Sequence, residues 1–293
     1  MVAPPTRAVV HISILKPWQW LARLPSVLVQ ETTNIIRDFR RSWRVLWALT
    51  VIESRRKYAG SILGMLWYPV YSGLLLASYC FVYLVVLRVR FADFGTYGYV
   101  LFIFSGLIPY LGFSEAIAMS TPSVRQSIGI LKNAVFPVEF VPVRFVCASL
   151  FGLLSSLAIL VLMIVPTHFR GLHFLYLPVA LTELFAFCVA AAWILSAVAV
   201  FVPDIVQVVN IALLPLMFVS PVGFSLDMVP RSVRVLMFLN PLTYLIEAFR
   251  FSLIGVRHTA MWLDPFFLTV CVAMASLAGV FFVKLSPIFA DYE

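Results

Sequence analysis

The sequence predicts an all-helical (all-α), polytopic membrane protein: six transmembrane helices preceded by an N-terminal interfacial helix. Three observations predict it. Hydrophobic residues fill 62% of the 293 positions and charged residues 12%, against roughly 45–50% and roughly 25% in a soluble domain. Long apolar stretches recur from Leu63 to Val283, and several reach the roughly 20 residues needed to cross a hydrocarbon core of about 30 Å. These stretches are continuous, not strictly alternating, which favours helices over a barrel where lipid cannot satisfy free backbone groups.

Residues 1–62 form a cytoplasmic tail that ends in the interfacial helix. They hold no apolar core beside a small-residue cleavage site, so the first span is expected to act as the membrane signal. Between Arg37 and Lys57 the run RDFRRSWRVLWALTVIESRRK mixes arginines with Trp43 and Trp47, the pairing expected of a helix in the headgroup region. A plain cytoplasmic cap that anchors topology is the simpler alternative. Arg55, Arg56 and Lys57 stand immediately before the first span, where they are placed either to set topology or to attract the phosphates of a lipid-linked substrate.

Residues 63–293 carry the spans, placed at about Leu63–Leu87, Gly98–Met119, Val141–Val165, Leu175–Val202, Ile205–Phe224 and Pro265–Val283. If the amino terminus is cytoplasmic, fourteen of the 21 Lys and Arg residues fall on that side, with Arg125, Lys132, Arg144 and Lys284 joining the ten before Leu63. Seven lie outside, the Arg88 and Arg90 pair being the main dissent. Both termini are then cytoplasmic. A net charge of +8 without a basic-aromatic module points to anionic membrane lipids as partners and not to nucleic acid.

Between the second and third spans, Val124, Ile128, Leu131 and Val135 recur at helical spacing while Arg125, Gln126, Lys132 and Asn133 face elsewhere. Pro122 opens this segment and Pro137 closes it. It reads as an amphipathic connector or as a docking element for a cytoplasmic partner. Cys80, Cys147, Cys188 and Cys271 all fall inside spans with no CxxC spacing, so they are packing residues and not a disulfide frame or a metal site.

Aromatic residues reach 15%. Tyr68, Tyr71, Tyr79 and Tyr83 recur at three- and four-residue steps along the first span, near one face. A flat aromatic ring can hold the apolar face of a sugar weakly, so Tyr71, Tyr79 and Tyr83, with Tyr110 of the second span, are candidate channel residues; an interfacial belt or ordinary packing is the alternative. For Tyr68 the belt is the better explanation. Ionisable residues within spans are costly: Glu183 is expected either to touch substrate or to be paired, and Glu115 to be paired. Glu247 and Arg250, three apart on a helix, are expected to bond each other.

Five segments together resemble a known family, the membrane subunits of ABC-type exporters for bacterial surface polysaccharides (O-antigen, capsule, teichoic acid). They are KYAGSILGMLWYPVYSGLL, FSGLIPYLGFSEAIAMST, LKNAVFPVEFVPV, MFVSPVGFSLDMVP and FLNPLTYLIEAFR, in the family's order and covering most of the chain from Lys57 to Arg250. The chain departs from the pattern in its long N-terminal extension and in VPDI before the fifth span, where Pro203 stands in the place of a common Arg.

The resemblance implies a permease subunit of the bacterial inner membrane that exports a lipid-linked polysaccharide and is not an enzyme. It implies a second copy of the chain and two ATP-binding subunits as partners. ATP and Mg belong on those subunits, with no cofactor bound by this chain, in keeping with the lack of a GxxxxGK[ST] loop. It further implies that residues 121–137 are the coupling segment, with Arg125, Ile128, Leu131, Lys132 and Phe136 meeting the ATPase. Residues 225–263 become an extracellular segment of short helices, and Pro215 and Pro221 kink the fifth helix so that it turns back or re-enters. A drug or haem exporter of the same class is the nearest rival. A secondary transporter lacks support in the form of internal repeats, and a transferase lacks an acid or histidine constellation at an interface.

Overall fold

A computed structural model describes residues 17–86, 88, 95–131, 137–167 and 171–291. It contains a long N-terminal helix, α1 (Pro17–Lys57), followed by α2 (Trp67–Cys80), α3 (Gly95–Ser120), α4 (Ser123–Leu131) and α5 (Phe140–Ile164). After these come α6 (Leu177–Phe201), α7 (Ile205–Val219), α8 (Arg231–Leu239), α9 (Pro241–Ile254) and α10 (Leu263–Leu285). Among the described residues, five helical runs are long and apolar enough to cross a membrane: Gly64–Val86, Gly95–Ser120, Phe140–Ile164, Leu172–Phe201 and Leu263–Phe289. The first joins α2 to a π-helical end at Phe81–Val86.

The fifth expected span is shorter than its apolar stretch. α7 stops at Val219, about 22 Å at the helical rise and short of the hydrocarbon core. Ser220 precedes Pro221 and is extended (φ −87°, ψ 147°), because the proline ring disfavours helical geometry in the residue before it.

α1 is longer than its basic-aromatic part, since no glycine or proline interrupts it from Ser26 onward. It lies against α5 and α10, burying Ile35, Leu46, Thr50 and Ser54, which recur at helical spacing. The two hydroxyls donate to the carbonyls one turn back, at 2.8 and 2.9 Å, so this packed stripe leaves neither unsatisfied. Arg37, Arg40, Arg41 and Arg44 are exposed, and Trp43 and Trp47 stack at 6.2 Å while remaining half exposed, as suits a headgroup layer.

α3 is the centre of the bundle, packed by α2, α5, α6, α7 and α9. α9 is the unexpected element. Its ends are written in the sequence: Asn240 caps it by accepting from the Leu242 amide at 3.0 Å, Pro241 takes the first helical position, and Gly255 closes it at φ +70°. The helix does not lie on the surface. Leu245, Ile246, Glu247, Ala248, Phe249 and Arg250 are all buried, and the Arg250 guanidinium sits 3.6 Å over the ring of Phe102. Phe102 is about two turns inside α3, so α9 reaches into the depth of the bundle.

The buried charge on α9 is engaged through its terminal nitrogens, while Arg250 Nε has no hydrogen-bond partner. Arg250 donates to Glu247 Oε1 at 2.9 Å, as the three-residue spacing predicts, and to the carbonyls of Pro221 and Val222 at 2.8 and 3.1 Å. The backbone N–H of His258 donates to the second Glu247 oxygen at 2.6 Å. Arg257 clasps Asp264 with both terminal nitrogens, and Tyr176 donates to the same carboxylate.

Candidate functional site

α2, α3, α5 and α7 line a cleft of about 630 Å³ that has the last turn of α1 at one end. Its wall is apolar with a few polar tips. Tyr71 projects from α2 with 58% of its surface exposed, whereas Tyr68, one turn earlier, is buried at 6%. Tyr110 faces them from α3 and donates its hydroxyl to the carbonyl of Leu213 on α7. Asn210, Leu213, Leu214 and Met217 complete the α7 side.

α7 keeps little of its surface covered. Of its residues only Met217 is buried. Gln207 and Asn210 are exposed in an otherwise apolar helix and share a face with Leu214. An exposed amide at membrane depth is costly against lipid and inexpensive against a wet path. These two residues escaped the sequence reading, which looked for aromatics and charges; a polar residue repeated at i and i+3 within an apolar run was the available signal.

The tyrosines expected in one channel are divided. Tyr71 and Tyr110 line the cleft, while Tyr79 and Tyr83 stand outside it, stacked on each other at 5.9 Å. Tyr79 is buried with its hydroxyl unbonded. Glu183 also lies away from the cleft: it is 1% exposed on α6, and neither carboxylate oxygen has a hydrogen-bond partner. The four cysteines carry free thiols.

At the α1 end of the cleft, Lys57 Nζ donates to Glu115 Oε1 at 2.5 Å. The ammonium also lies 5.2 Å from the centre of the Tyr58 ring and 4.9 Å from that of Tyr68, close enough for cation–π attraction. Burial works to lower the Lys57 pKa, but the Glu115 carboxylate and the Tyr58 hydroxyl together raise it more, so the ammonium is held above its ordinary value. Arg55 and Arg56 are exposed, Arg56 reaching only Glu53 at 4.0 Å. The three cations expected to act together are therefore one bound at the cleft and two facing solvent.

The expected coupling segment begins with α4. Arg125 is exposed on it, and Ile128 and Leu131 belong to its last turns, while Lys132 and Phe136 lie outside the described residues. Arg144 of α5 donates to Ser127 of α4 at 3.0 Å and lies over the Phe145 ring. α4 packs on α5 and α6.

Residues 44–254 match the ABC-2 type transporter family. The chain belongs to that family. As an ABC-2 type subunit it is the multi-pass membrane part of a transporter and not its catalyst, and it works with ATP-binding subunits that are separate chains. The transporter subunit is 26% identical over 259 residues to the O-antigen export system permease protein RfbA of Myxococcus xanthus, a match covering 87% of this chain and 95% of that protein. It is 24% identical over 208 residues to an O-antigen export system permease protein RfbA of Klebsiella pneumoniae, covering 70% of this chain and 78% of the other.

Proposed function

We propose that this permease exports a lipid-linked polysaccharide of the O-antigen, capsule or teichoic acid type across the bacterial inner membrane, driven by ATP bound with Mg on two partner subunits. Both termini face the cytoplasm, and two copies of the chain assemble with α2 and α7 facing each other across the path. The observation that carries this reading is the cleft between those helices: aromatic faces at Tyr71 and Tyr110 beside the amide of Asn210, in an otherwise apolar wall. Rings hold the C–H faces of a sugar and the amide exchanges hydrogen bonds with its rim, so successive residues bind weakly and slide. The names of the relatives support the same substrate class.

Arg55, Arg56 and Lys57 attract the phosphates that join glycan to lipid, and α4 with the residues after it seats on the ATPase, with Arg125, Ile128, Leu131, Lys132 and Phe136 as its contacts. Arg144 ties that helix to α5, so a push on α4 reaches a spanning helix. Tyr71→Ala combined with Asn210→Ala should lower surface glycan several-fold while the permease still co-purifies with its ATPase. Unchanged surface glycan in that double variant would reject the cleft as the path.

A further inference from the structure

The bridge between Lys57 and Glu115 joins residues 58 positions apart, on different helices, at the mouth of the cleft. Three details set it apart from a surface ion pair. Glu115 is carried by a membrane-spanning helix and is 18% exposed, Lys57 32%. Tyr68, whose ring flanks the ammonium, has a buried hydroxyl with no hydrogen-bond partner. The facing wall is kept bare by Gly152, where a Cβ would stand 2.7 Å from the Tyr68 ring and 2.8 Å from Glu115 Oε2. An unspent donor, a cation and a carboxylate acceptor thus converge where the cleft opens beside α1.

We infer that Lys57, Tyr68 and Glu115 form an exchangeable anion site, in which Glu115 is a built-in stand-in for a phosphate ester and yields Lys57 when a lipid-linked diphosphate arrives. This deepens the proposed function and rests on its assignment of a lipid-phosphate substrate. A diphosphate carries more charge than one carboxylate and accepts from several donors at once, so it can take the Lys57 ammonium and the idle Tyr68 hydroxyl together. Glu115 tolerates the swap because the cleft wets it. Breaking the bond releases the end of α1 from α3, so arrival of the lipid head loosens the mouth of the cleft, and an empty permease stays latched.

The site is tested with the assembled permease and ATPase in nanodiscs of neutral lipid, measuring binding of a fluorescent polyprenyl diphosphate to wild type, Glu115→Gln, Lys57→Met and the double variant. Removing the competitor should tighten binding about 5-fold or more, the lower end of a typical coupling between sites, and Lys57→Met should weaken binding in the wild type and abolish the gain in the Glu115→Gln background. Tyr68→Phe, which keeps the ring, should weaken binding with assembly unchanged, and it serves as the second arm should Glu115→Gln assemble poorly. Inorganic pyrophosphate and phosphatidylglycerol are run in parallel. A gain confined to the polyprenyl diphosphate supports a lipid-linked ligand, and an equal gain with pyrophosphate supports recognition of the diphosphate group itself. If Lys57→Met weakens binding but Glu115→Gln and Tyr68→Phe leave it unaltered, the exchange is overturned and the phosphate reading stands. If Lys57→Met also has no effect, both fall.

Discussion

Arg250 shows what a charge needs in order to live inside this protein. Its side chain is 0% exposed and its terminal nitrogens are spent on Glu247 and on the carbonyls of Pro221 and Val222. Removing one partner of such a pair strands the other in a low-dielectric interior, at a cost of about 3–5 kcal/mol. Arg250→Met should therefore lower the thermal midpoint of the purified permease strongly, read by size-exclusion after heating in detergent. Arg250→Lys should rescue little, because an ammonium cannot reproduce the planar fork that reaches an acid and two carbonyls at once. A midpoint near wild type for Arg250→Lys would show that charge alone suffices. The Glu247 and Arg250 partnership was legible from three-residue spacing on a helix. The Lys57 and Glu115 partnership was not: Glu115 was expected to be paired, but periodicity reports the face of one helix and cannot name a partner 58 residues away. Glu183 has no hydrogen-bond partner at all, an outcome that no local pattern in the sequence distinguishes from pairing.

Among the elements, α9 is held by its ends as much as by its packing. Asn240 caps the helix through its side-chain oxygen and, through its nitrogen, donates to Ser220 Oγ at 3.0 Å, so one residue both starts α9 and holds the turn that ends α7. Loss of an N-cap costs roughly 1 kcal/mol, and the Ser220 bond adds to it. Asn240→Ala should shift the unfolding midpoint downward measurably, and Asn240→Ser should recover the cap but not the second bond; a midpoint for Asn240→Ser equal to that of wild type would deny the bridge to Ser220. The cap, Pro241 and Gly255 were all visible as letters. The depth of the helix was not, since a segment with Glu247, Arg250, Arg257 and His258 reads as too polar for the bundle until its internal bonds are known. α7 was partly legible: its apolar stretch reads as a span at Ile205–Phe224, with Pro215 and Pro221 expected to turn it back, and the helix ends at Val219 before Pro221 while Pro215 stands inside it.

At the scale of the whole molecule, the apolar surface is unevenly spent. α3 is mostly buried, while α2, the π-helical end that follows it and α7 leave Val70, Leu74, Phe81, Ile211, Leu214 and Phe218 open. Lipid accepts such a surface but leaves the amides of Gln207 and Asn210 on α7 unsatisfied, and the proposed pairing of two copies would set them on a wet path. With Cys80, Cys147, Cys188 and Cys271 replaced, Leu214→Cys should cross-link to dimers with a short bifunctional maleimide in membranes; a wholly monomeric product would place α7 toward lipid. Fold class, span order, the interfacial helix and the α4 segment follow from hydropathy and spacing, because those patterns are local. The cleft does not, because it exists only once α2, α3, α5 and α7 are brought together.

The buried guanidinium on α9 also bears on how the chain is made. A segment carrying Glu247, Arg250 and Arg257 has no affinity of its own for hydrocarbon, and its binding place is built from α3, α6 and the start of α10. This segment is therefore expected to pack only once α3 and α6 stand in place to receive it. Burial of the Arg250 guanidinium is in that case a late step in the folding of the chain.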